Sequence, residues 1–273
     1  MSRTNGYGTA EYRSLRDAPA AVPASSEEPL LPKATIRQYL LGDVDPSWAD
    51  LILLLCYTIT GLLDSAAISI WGSFVSMQTG NTVYFALGLV SPDDASMKWA
   101  RSGVSIASFC AGSLLFSRFH RIFSPRRRWV LCVSFALQMA CIVAAAVIVV
   151  VHHRRLVSPL HWTVIVPLAL VAFQSSGQAV TSRALEYNSL TSVVLTSIYC
   201  DLFSDPKLFA MQNVERNRRA AAPVCLLVGA LCGALWAQSS VGLAGALWTA
   251  ALFKAVIVLA WLVWREGEST LIT

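Results

Sequence analysis

The feature that most constrains this chain is where its charges are absent. Residues 129–151 contain no Asp, Glu, Lys, Arg or His, and neither do residues 222–241. A helix rises about 1.5 Å per residue and a bilayer core is about 30 Å thick, so roughly 18 or more such residues in a row can span it. One stretch of this kind also fits a buried core helix. Several in a chain of 273 residues do not. Hydrophobic residues make up 55% and charged residues 14%, against about 25% charged in a soluble domain. The expected fold is all-α, a polytopic integral membrane helical bundle.

The order of the apolar stretches adds a second constraint. Residues 1–35, rich in Gly, Ser, Ala and Pro without a period, are expected to form a disordered tail, and 36–268 a single transmembrane domain. No apolar core for a cleavable signal peptide stands in the first stretch. A short interfacial segment over 36–50 puts Trp48 at headgroup depth. A long stretch at 51–72 is followed by a short one at 74–90 and long ones at 101–119 and 129–151. The order recurs with a long stretch at 160–182, a short one at 190–203, and long ones at 222–241 and 244–264. Long, short, long, long, twice over, is an internal repeat by architecture, with halves at about 50–151 and 160–265.

The two short elements decide the topology. If both cross there are eight spans; if both dip in and return there are six. Basic residues mark cytoplasmic loops, and they cluster at Arg118, Arg121, Arg126, Arg127 and Arg128, then at Lys207, Arg216, Arg218 and Arg219. Six spans from a cytoplasmic N-terminus place both clusters on that side, at the cost of leaving His152 to Arg155 on the other. Eight spans separate them. The expectation is therefore about six long transmembrane helices plus two short broken or re-entrant helices in two pseudo-repeats, inverted with respect to each other as in many transporters.

Charge and cysteine content narrow the function classes. The net charge of +5 comes from these loops, and no face interleaves aromatics with Lys or Arg, so nucleic acid is not an expected partner. The seven cysteines are odd in number, lack C-x-x-C spacing and lie mostly in apolar segments, as small buried hydrophobes do. No cofactor and no metal is expected.

Polar residues at membrane depth need an account, since a charge there costs about 2.5–3.5 kcal/mol on insertion scales. Asp64 shares one helix face with Tyr57, Gly61, Ser65 and Gly72. Gln174, Gln178, Thr181 and Ser182 repeat that spacing in the second half. Either these residues form a structural polar lock, with Asp64 bonded to the backbone of a broken segment, or they line a substrate or proton site. Lys254, deep in the last span, either pairs with Asp64 or Asp201 or lies nearer an interface. In the short segment, Gly80 permits unusual backbone geometry, and Gln78, Thr79 and Asn81 can satisfy groups freed by a helix break. With Thr196 of the second short segment, these residues form the candidate substrate-binding set: Asp64, Gln78, Thr79, Gly80, Asn81, Gln174, Gln178 and Thr196. Gly229 and Gly233 have G-x-x-x-G spacing, which serves dimerisation or internal packing equally well.

Gly61-Leu62-Leu63-Asp64-Ser65, followed by Phe74-Val75-Ser76-Met77-Gln78-Thr79-Gly80-Asn81-Thr82, resembles the signature of the YoaK family of multi-pass membrane proteins carrying a domain of unknown function. The stretch from Leu190 to Leu202, with Ser204-Asp205-Pro206-Lys207, resembles its fungal branch. Many members have T-G where Thr196 is followed here by Ser197. The likeness covers about residues 36–265; it implies a membrane location and the fold class and supplies no activity. Three function classes follow. A permease for a small solute is supported by the repeat, the broken segments and the polar faces. A non-transporting scaffold or accessory protein needs the polar residues only as packing. An intramembrane enzyme lacks support, because no H-E-x-x-H, G-x-S-x-G or paired aspartate motif is present. The expected partners are the lipid bilayer, a small solute and, through the glycine pair, a second copy of the chain. The plasma membrane and an endomembrane such as the vacuole fit equally.

Overall fold

A computed structural model describes residues 36–91, 97–152, 158, 160–187, 190 and 192–267; the tail expected at 1–35 lies outside these residues. Among them the chain forms nine helices and no strand: α1 (Ile36–Leu41), α2 (Ala49–Trp71), α3 (Gln78–Val90), α4 (Lys98–Phe123), α5 (Arg128–Val151), α6 (Trp162–Ala184), α7 (Thr196–Phe203), α8 (Val214–Gln238) and α9 (Leu243–Val263). Five of them, α2, α5, α6, α8 and α9, are long and apolar enough to cross a membrane. The sixth long helix, α4, has 26 residues but carries Lys98, Arg101, Arg118, His120 and Arg121, which lower its hydropathy.

One end of the bundle gathers the basic loops. At the start of α2, Val44 N donates to Arg126 O (2.9 Å), Arg128 N to Gly42 O (3.1 Å), and Trp264 Nε1 to Asp45 O (2.9 Å). Tyr187 Oη donates to Pro46 O (2.9 Å), and Arg218 pairs with Asp50 (2.8 Å). The α4–α5 turn, the end of α6, the start of α8 and the end of α9 therefore share this end, as expected for a six-span chain. Arg128 is fully buried there. It donates to Tyr39 O (2.9 Å) and Trp264 O (2.7 Å) with its guanidinium 3.7 Å from the Tyr39 ring centroid. In the α7–α8 loop the Lys207 backbone amide, donating to Asp205, holds that carboxyl below its usual range.

The long helices pair closely: α2 packs on α8, α4 on α6, and α5 on α9. Glycine makes the first two contacts. A Cβ on Gly61 would strike the Leu226 carbonyl, one on Gly229 the Thr58 carbonyl, and one on Gly233 the Leu62 carbonyl. In the second pair a Cβ on Gly112 would meet Phe173 O and Ser176 Oγ. The G-x-x-x-G pair is thus spent on an internal α2–α8 contact.

Both short helices begin inside the bundle. After α2 the chain turns at Gly72, whose φ of 69° suits glycine. Residues 72–77 then fold back alongside α2: Val75 N and Ser76 N reach Asp64, two turns before the end of α2. Ser175 Oγ, midway along α6, donates to Val75 O (2.9 Å). From there α3 returns to the end it came from, antiparallel to α4, with Gly88 against Trp99. Helix α7 is the counterpart at the other end: Ile198 packs with Leu53, Tyr57 and Leu226 inside the bundle, and the helix leads out to Asp205. One sequence expectation shifts here. The irregular backbone lies at 72–77, and Thr79-Gly80-Asn81 occupies the first helical turn of α3. Gly80 is helical; a Cβ there would stand 2.8 Å from the Phe74 ring, so this glycine makes room for a side chain.

Candidate functional site

The turned-back segment is held by two side chains. Asp64 Oδ1 accepts from Val75 N (2.8 Å) and Ser76 N (2.9 Å), and Ser76 Oγ donates to Asp64 Oδ2. Asn81 is the second clamp. Its Oδ1 accepts from Phe74 N and Ser73 Oγ, both at 3.0 Å, and its Nδ2 donates to Phe74 O (2.8 Å), Gln78 Oε1 (2.9 Å) and Ser105 Oγ (3.0 Å). Asp64 is 2% exposed and Asn81 0%. Asp64 Oδ1 and both polar atoms of Asn81 thus satisfy backbone freed by the break, and Asp64 Oδ2 takes the Ser76 hydroxyl, which is what irregular chain at membrane depth requires.

On the far side of that segment lies a cavity of about 1020 Å³. The first turn of α3 closes it with Gln78, Thr79 and Gly80, and the start of α7 closes it opposite with Leu195 and Thr196. One face of α4, at offsets of 4, 7 and 8 residues, supplies Ser113, Ser117, His120 and Arg121, and Ser124 adds to it just past the helix end. Helix α6 adds Arg183, and α8 adds Leu226. Arg121, Ser124 and Arg183 are at the helix ends that meet the basic loops, so the cavity runs from that end to the two broken segments.

The candidate set therefore divides. Gln78, Thr79, Gly80 and Thr196 line the cavity. Asp64 and Asn81 lie behind its wall as clamps. Gln178 belongs to a separate buried cluster: Lys254 Nζ donates to Gln138 Oε1 and Gln178 Oε1, both at 2.6 Å, and Gln178 Nε2 donates to Thr60 Oγ1 (3.0 Å). Gln174, one turn away on α6, is buried, and neither of its amide atoms has a partner among the described residues.

The expected ion pair of Lys254 with Asp201 or Asp64 is corrected by this geometry. Asp201 is exposed on α7, Asp64 is occupied by the segment it clamps, and two glutamine carbonyl oxygens take the place of a carboxylate. Nor does Lys254 lie near an interface; it is 0% exposed. Sequence reasoning missed the α4 face. Its signal was available, since Ser113, Ser117, His120, Arg121 and Ser124 recur at helical spacing, but the expected span ended at residue 119 and Arg121 was counted only toward the topology.

The chain matches the family described as protein of unknown function (DUF1275) over residues 52–260. No curated protein and no solved structure matches it.

Proposed function

We propose that this chain, which belongs to the DUF1275 family, is a multi-pass membrane permease for a small solute. The observation that carries this reading is the cavity of about 1020 Å³ between the starts of α3 and α7. A pocket of this size is at the upper end of those that enclose drug-sized ligands. Interrupted helices meeting at a cavity are the usual place for a transported solute, because their free backbone groups and short polar side chains can coordinate it.

The helix pairing supports an inverted internal repeat. With halves α2–α5 and α6–α9, the first helix of each half packs on the third helix of the other, α2 on α8 and α6 on α4. The last helices of the halves, α5 and α9, pack on each other. We assign the basic end to the cytoplasm by its excess of arginine, so the cavity faces that compartment here. The stretch from Leu190 to Lys207 supports a place in the fungal YoaK-like branch.

A second reading, a non-transporting scaffold, is favoured by the clamps: Asp64 and Asn81 have all their bonds within the protein and lie outside the cavity lining. Uptake profiling separates the two readings. A deletion strain is complemented with the wild-type chain or with Ser113→Trp, which fills the cavity from its α4 wall. The permease reading predicts at least one solute whose uptake the wild type restores and Ser113→Trp does not. Equal complementation by both, for every phenotype of the deletion, would leave the scaffold.

A further inference from the structure

We infer that the cavity selects a small soluble anion, carboxylate- or phosphate-bearing, through Arg121 and Arg183; the inference rests on the permease reading. Two observations carry it. The first is charge balance at the basic end. Arg126 pairs with Glu186 (3.1 Å), Arg218 with Asp50 (2.8 Å) and Arg219 with Asp205 (3.7 Å). Arg121 and Arg183, the two arginines that line the cavity, pair with no carboxylate among the described residues. Among the described residues no Asp or Glu lines the cavity to compensate them.

The second observation is the remaining polar lining: Ser113 and Ser117 of α4 and Thr196 of α7 bring hydroxyl donors to the same cavity.

Two guanidinium groups without a carboxylate, with hydroxyls at Ser113, Ser117 and Thr196, form a site for a group that only accepts hydrogen bonds and carries negative charge; the Arg121 Nε bond to Ser117 O (3.3 Å) leaves the rest of that guanidinium free to take part.

The test uses charge-paired thiol reagents and needs no knowledge of the natural solute. Ser113→Cys is made in a chain whose cysteines outside the core, Cys110, Cys200, Cys225 and Cys232, are alanine. Reaction rates are measured in vesicles with sulfonatoethyl methanethiosulfonate, an anion, and trimethylammonioethyl methanethiosulfonate, a cation. The expected anion-to-cation rate ratio is roughly tenfold above that of a free thiol, the lower end of what a focused protein field produces. Arg121→Gln with Arg183→Gln returns the ratio to the free-thiol value, whereas Arg118→Gln, exposed and outside the lining, does not. A ratio at or below the free-thiol value, or one unmoved by the double substitution, overturns the anion inference and leaves the permease reading standing. Failure of both reagents to react overturns the permease reading, and the inference with it.

Discussion

Two backbone amides and a serine hydroxyl converge on the Asp64 carboxylate. Hydrogen bonds to a charged group contribute about 1.5–3 kcal/mol each, so three of them exceed the roughly 2.5–3.5 kcal/mol of placing a carboxylate at membrane depth. The residue is therefore retained for what it holds, the turn at 72–77. Asp64→Asn keeps one acceptor oxygen for Val75 N and Ser76 N, and its amide can donate to Ser76 Oγ, whose hydroxyl both gives and takes. Asp64→Leu leaves both amides without a partner. We expect Asn to fold with a melting temperature close to wild type and Leu to lose about 1–3 kcal/mol per orphaned amide, read by detergent-solubilised thermal unfolding. Equal stability of the Leu variant would remove the clamp. At this scale the sequence offered two roles for Asp64, a lock on a neighbouring broken segment or a substrate or proton site, and the hydrogen bonds to Val75 and Ser76 are those of the lock. The sequence did not show the partners of Lys254, because a glutamine carbonyl leaves no charge signal in a sequence. The pattern that does point to carboxylates, Asp201, turned out to be exposed.

Among the elements, the α2–α8 contact depends on the absence of side chains. Thr58 O and Leu62 O occupy the space a Cβ would take on Gly229 and Gly233, and Leu226 O the space on Gly61. Backbone cannot yield as a flexible side chain can, so Gly229→Ala is expected to cost about 1–3 kcal/mol of stability, checked by thermal unfolding at several protein concentrations. An unchanged midpoint together with a shift from dimer to monomer would instead assign the motif to a dimer. Gly80→Ala differs in kind. Its Cβ would meet the Phe74 ring at 2.8 Å, a side chain in the cavity wall. The expected loss is in solute uptake, with the melting temperature moved by less than in Gly229→Ala. The short helices themselves were legible from length and order alone. Their break was placed several residues late, because Gly80 draws the eye to a turn, while Gly72, at φ 69°, is the residue that makes it.

The whole molecule joins a basic end, two broken helices entering from opposite ends, and a cavity between them. Charge clustering made the shared end of the two basic loops legible in the sequence, since arginine is tolerated only outside the hydrocarbon. The cavity was not legible, because it is bounded by α4 and α6 from different halves, and their pairing is a product of packing that local spacing does not encode. Single cysteines at Arg126 and Lys207 are expected to label from the same side of a sealed membrane; labelling from opposite sides would refute the six-span topology. The most direct test of a solute path is two-sided access to its floor, at Thr79, which is exposed in the cavity. In sealed vesicles of known orientation, a Thr79→Cys thiol is offered an impermeant reagent from one side at a time. The permease account predicts fast labelling from the side of the basic loops and slower but measurable labelling from the other, as the path opens alternately. Labelling from the basic side alone, unchanged over long exposure and over temperature, would contradict it.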